Sequence, residues 1–181
     1  MADPVPPVSV PAGASDQPPP LDDDPVDAPM LLTNAPSISP EALERGFGGD
    51  ADRLRRFVAT LQAALPAGTI IVLRGSTVAG TSYETGNAFD AAGPGTSDLD
   101  IVVIGDATME LFDNDARLMG GINTLPLSDK EPGIAPALDT ARRAAQAIVG
   151  RPVSIQAMTT WFLFMRSIVQ DQPFAVLSPE A

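Results

Sequence analysis

The sequence predicts an α/β (α+β) domain, a small mixed sheet packed with helices, and three observations lead there. Residues 69–73, 98–104 and 152–158 are short apolar runs rich in Val and Ile, as expected of buried strands. Between and around them, apolar residues recur at three- and four-residue spacing, the period of a helix. The resulting order, helix, strand, loop, strand, helix, strand, helix, is an α/β pattern without internal repeat.

The domain is expected over residues 41–181, preceded by a tail over residues 1–40. Eleven of the nineteen prolines and six acidic residues lie before Glu41, with no Lys or Arg. Such a segment buries too little apolar surface to offset its ordering entropy and is expected to be disordered.

Each element has its own signal. Residues 40–65 read as helical, with Asp50 able to cap and Leu54, Phe57, Val58, Leu61 and Leu65 on one stripe. Pro66-Ala67-Gly68 stops this helix, and the first strand runs into Gly75-Ser76. Residues 77–97 form a loop too long to be a simple connection. The second strand opens on Ser97-Asp98-Leu99-Asp100 and ends at Gly105-Asp106. A short helix is expected within 107–119 and irregular chain over 120–133. Residues 134–149 form a helix with Pro136 in its first turn and Gly150 at its end. Leu138, Ala141, Ala145 and Ile148 make its apolar stripe, and Arg142 and Arg143 read as a solvated polar face. A last helix over 160–169 turns Trp161, Phe164, Met165 and Ile168 inward.

Composition removes several chemistries. The chain has no cysteine and no histidine, which excludes disulfides, thiolate metal sites and imidazole acid–base catalysis. The net charge of −12 argues against a basic groove for long nucleic acid. It does not argue against a nucleoside triphosphate, whose charge a metal neutralises. No run reaches the ~18 apolar residues of a membrane span, and no secretory signal opens the chain, so a cytoplasmic location is expected.

Asp98 and Asp100 carry the chemistry. Alternation along a strand puts both carboxylates on one face, where they repel unless a cation lies between them. The Gly75-Ser76 turn offers backbone N–H groups and a hydroxyl suited to a phosphate. A strand ending in Gly75-Ser76, followed by a strand headed by Asp98-Leu99-Asp100, resembles the nucleotidyltransferase superfamily, the polymerase-beta-like fold. The resemblance covers roughly residues 50–158.

It implies that Gly75 and Ser76 hold the phosphates of a nucleoside triphosphate. Asp98 and Asp100 would be the catalytic metal ligands, for Mg²⁺ or Mn²⁺ in its place. The implied reaction moves a nucleoside monophosphate to an acceptor hydroxyl, with a small molecule or protein favoured over nucleic acid as acceptor.

Two departures stand out. The loop before Asp98 is longer than the family usually has, and carries Tyr83, Glu84, Asn87, Phe89 and Asp90. The family's third carboxylate, on a neighbouring strand, is replaced by Ser154 and Gln156. Asp90 or Asp106 brought near the pair would favour turnover. A wall of Ser154 and Gln156 alone would favour a catalytically inactive module that binds a nucleotide or a protein. Completion of the site by a partner chain is a third alternative.

Overall fold

A computed structural model of the chain describes residues 35–167 and 172–177. The expected disordered tail lies outside these residues up to 34, and so does the end of the last expected helix, residues 168 and 169. The residues leading into the domain are already engaged. The Val176 N–H donates to Pro36 O at 2.9 Å, and Ser39 caps the first helix.

The helix expected over 40–65 is two helices, α1 (Pro40–Phe47) and α2 (Ala51–Gln62). Gly48 and Gly49 both take left-handed backbone angles, φ 65° and 71°, and break the run. Asp50 caps α2 as expected, its carboxylate accepting from the N–H groups of Asp52 and Arg53 at 2.8 and 3.0 Å. Strand β1 (Ile70–Arg74) leads into a single helical turn, α3 (Ser76–Ala79), and β2 (Leu99–Ile104) into another, α4 (Asp106–Met109).

Two two-residue strands follow, β3 (Arg117–Leu118) and β4 (Asn123–Thr124). Next come α5 (Pro136–Val149), β5 (Val153–Met158), α6 (Trp161–Ser167) and β6 (Ala175–Val176).

The described strands make one mixed six-stranded sheet in the order β3-β4-β5-β2-β1-β6. β2 sits near its middle, antiparallel to β1 and parallel to β5. Its register places Asp100 between Arg74 on one side and Ser154 on the other.

The two faces of the sheet differ. One carries Ile71, Leu73, Leu99, Ile101, Val103, Val153, Ile155 and Ala157, all buried in the main core with Phe47, Phe57, Leu61 and Leu138 of α1, α2 and α5. The other carries Ile70, Val72, Val102, Ile104 and Met158 at one end, packed with Phe164 and, beside it, Trp161 and Phe174. Phe164 is fully buried as expected of α6, but Met165 is 44% exposed and does not join that packing. At the other end of this face the same alternation presents Arg74, Asp100, Ser154 and Gln156. Among the described residues, no helix is long and apolar enough to cross a membrane.

Candidate functional site

The polar end of that face is the floor of a cleft of about 500 Å³. Arg74, Asp98, Asp100, Ser154 and Gln156 line it from the sheet, and Ser128, Asp129 and Lys130 form its rim. A more open hollow of about 400 Å³ lies elsewhere, near Gly95, Gln146 and Arg151. It lacks the aspartate pair.

Asp98 and Asp100 thus meet in one cleft, as their spacing predicts. Asp98 is exposed at the mouth, and Asp100 is half-buried on the floor. Ser154 Oγ donates to Asp100 Oδ1 at 2.8 Å. Burial first, then the Asp98 charge and the charge of Glu84, push the Asp100 carboxyl above its ordinary range. Ser154 and the Arg74 guanidinium oppose that shift without cancelling it. Neither aspartate makes an ion pair with an Arg or Lys among the described residues.

Gly75 stands directly against Asp100. Its backbone has φ 74° and ψ −157°, an arrangement natural only to glycine. A Cβ there would collide with Oδ2 of Asp100. The turn is fixed from behind. Arg45 of α1 donates to Thr77 O and Val78 O at 2.7 and 2.8 Å, and Thr77 is fully buried. Ser76 opens α3 beside Gly75 and is not part of the cleft lining.

The expected loop over 77–97 is more ordered in its connections than its composition suggests. Thr81 and Ala88 bridge as a small hairpin, with Tyr83 62% exposed at its tip. Its base is clamped by Asp90. That carboxylate accepts from the N–H groups of Gly95 and Ser97 at 3.0 and 2.9 Å and pairs with Arg151 at 3.2 Å. Burial pushes Asp90 up, but these partners outweigh it and hold the carboxyl at about 2. Arg151 also lies 4.6 Å over the Phe89 ring.

Asp90 is therefore a structural acid and not a third member of the site. Asp106 follows β2 at the end away from Asp98 and Asp100. The wall facing the pair is Ser154 and Gln156, and the described residues hold no group of three metal-ligating His, Cys, Asp or Glu side chains.

The two-carboxylate set still fits one divalent cation. Mg²⁺ is commonly held by one or two carboxylates and completed by substrate phosphates and water. The close seat of Gly75 on Asp100 leaves backbone, not side chain, beside the place such an ion would occupy.

Sequence reasoning missed Arg142. It was expected on a solvated face, but it is fully buried. Its guanidinium donates to Asp139 at 2.7 Å, Asp129 at 2.8 Å and Val153 O at 3.1 Å. Burial acts to lower its pKa, but the Asp129 and Asp139 carboxylates outweigh it and raise the pKa. This network ties the rim loop to α5 and to the start of β5. Arg143 does stay exposed, pairing with Asp139 from the outside.

No family model, no curated protein and no solved structure matches this chain.

Proposed function

We propose that this chain is a Mg²⁺-dependent nucleotidyltransferase, and that its site is the Asp98–Asp100 cleft. One observation carries the reading: two carboxylates that make no ion pair among the described residues line one cleft, with the Gly75 backbone packed against one of them. Leaving such a pair unneutralised is costly, which is the mark of a site made for a cation. Asp98 and Asp100 would hold the ion, with Mn²⁺ able to replace Mg²⁺. When bound, it supplies charge neutralisation for the phosphates of a nucleoside triphosphate.

The chain's own residues do the positioning. The Gly75-Ser76 turn gives the phosphates close approach to backbone, and Ser154 fixes the orientation of Asp100. The acceptor hydroxyl attacks the α-phosphorus in line. A new P–O bond forms, the bond to the bridging oxygen of the β-phosphate breaks, pyrophosphate leaves, and the hydroxyl proton passes to water. A cytoplasmic location, where nucleoside triphosphates and Mg²⁺ are abundant, belongs to this reading. So does a small-molecule or protein acceptor, given the acidic chain.

A second reading is favoured by the Ser154–Gln156 wall: a module that binds a nucleotide and does not turn it over. A third carboxylate would have supplied a base, and glutamine cannot take a proton at neutral pH.

Thermal unfolding with each nucleoside triphosphate and Mg²⁺ tests both. A ligand at 100 times its Kd stabilises by about 2.7 kcal/mol, a rise in midpoint of roughly 5–10 °C at this size. The rise should require metal and vanish in the Asp98→Asn/Asp100→Asn variant. Absence of any rise would refute the nucleotide site. Binding without pyrophosphate release, against a panel of acceptors, would select the second reading.

A further inference from the structure

Arg74 is the cation nearest in register to the aspartate pair, yet it does not pair with either. It ends β1 opposite Asp100, and its Nη2 donates instead to Oε1 of Gln156, on the far side of β2. The side chain therefore spans the floor of the cleft from β1 across β2 to β5. Gln156 is itself fixed, since its Nε2 donates to Thr124 O at 3.2 Å. Reversing the amide would set donor against donor at Arg74 and acceptor against acceptor at Thr124 O, so the carbonyl must face Arg74. A guanidinium beside two carboxylates would ordinarily take one of them in a bidentate pair. Here it is held on a neutral amide, half-buried in the cleft lining, with donors to spare.

We propose that Arg74, aimed by Gln156, is a phosphate ligand of this cleft, a fixed cation supplying charge that a second metal ion would otherwise bring. The proposal rests on the nucleotide reading above and deepens it. With two carboxylates the site can complete one ion and not two. The remaining negative charge of a triphosphate then needs a protein cation, and guanidinium suits phosphate oxygens by geometry as well as charge. Gln156, where a third acid was expected, is on this view a positioning residue that keeps Arg74 off Asp100.

The test uses the full chain and two probes, inorganic tripolyphosphate with Mg²⁺ and Mn²⁺ alone, read by calorimetry and by the Mn²⁺ electron paramagnetic signal. In Arg74→Gln, tripolyphosphate affinity should fall about ten- to a hundredfold, the range for a charged hydrogen bond. Mn²⁺ affinity should rise by about two- to fivefold, because a neighbouring positive charge has gone. A merely structural arginine would move both affinities down together or neither.

Arg74→Lys should lose part of the phosphate affinity. Gln156→Leu, which keeps the charge and removes its support, should fall between wild type and Arg74→Gln. If wild type binds a nucleoside triphosphate and Arg74→Gln binds it equally well, the proposal fails while the nucleotide site stands. If wild type binds no nucleotide, both fail.

Discussion

The domain treats its acids in two opposite ways. Each of three carboxylates that tie segments together has an arginine: Asp129 on the cleft rim and Asp139 share Arg142, and Asp90, outside the cleft lining, has Arg151. In the cleft, Asp98 and Asp100 have none among the described residues, although Arg74 is beside them. The clamping acids are consequently held at low pKa where a shift is seen, Asp90 at about 2 and Asp129 below its ordinary range. The floor acid Asp100 is pushed the other way. The same residue type serves as a clamp where its charge is answered and as a binding site where it is not.

The largest effect is expected at the Arg142 clamp. Arg142→Ala leaves Asp139 nearly buried with only Arg143 beside it, and removes the tie to Asp129. Removing one partner of a buried pair costs about 3–5 kcal/mol, and urea unfolding should show a loss of that size. The second substitution Asp139→Ala on that background should recover part of it, because it removes the stranded charge. A loss under about 1 kcal/mol would place Arg142 with ordinary surface pairs.

A smaller effect is expected at the Asp90 clamp. Asp90→Asn should cost about 2–3 kcal/mol, less than Arg142→Ala because Arg151 keeps its contact with the Phe89 ring and Ser97 O. The sign of its pH dependence follows from a lowered pKa. The stabilisation by Asp90 is present above the ordinary carboxylate value of 3.8 and is lost as pH falls through about 2. Wild type and Asp90→Asn should therefore differ at pH 6 and converge toward pH 2. A constant difference would mean that the loop is held by something other than this carboxylate's charge.

The aspartate pair was far more legible in the sequence than the clamps. Asp98 and Asp100 declare a shared face through period two alone, within a strand whose apolar residues fix which face is buried. Strands of two residues carry no period, so β3, β4 and β6 left no signal; β4 and β6 exist through pairing with β5 and β1, distant in sequence, and β3 through a short hairpin with β4. Asp90 offered no hint of its role, since Arg151 lies 61 residues away.

Arg142 is the instructive case. It stands four residues after Leu138 and three before Ala145, on the stripe that the helix buries. Its charge invited a surface assignment, although the spacing already placed it inward. A charged residue on an apolar stripe asks for its partner, and here that partner, Asp129, is thirteen residues upstream in a stretch that read as irregular.

The smallest effect is also the sharpest, because its sign is opposite to the others. A carboxyl whose folded pKa is raised favours the folded state fully only while protonated, and that advantage is lost as pH rises through the raised value. At pH 7 an ionised Asp100 therefore works against folding, through burial and the charge of Asp98. Asp100→Asn keeps an oxygen that accepts from Ser154 and removes the charge. It should unfold at a higher temperature than wild type at pH 7, with the gain shrinking as pH falls through the raised Asp100 value and gone below the ordinary carboxylate value of 3.8. The same variant should lose the stabilisation by nucleotide and Mg²⁺. Clamps cannot behave so: neutralising Asp90 weakens the fold. A less stable Asp100→Asn at pH 7 would make Asp100 one more clamping acid, and would remove the physical reason to place a cation in the cleft.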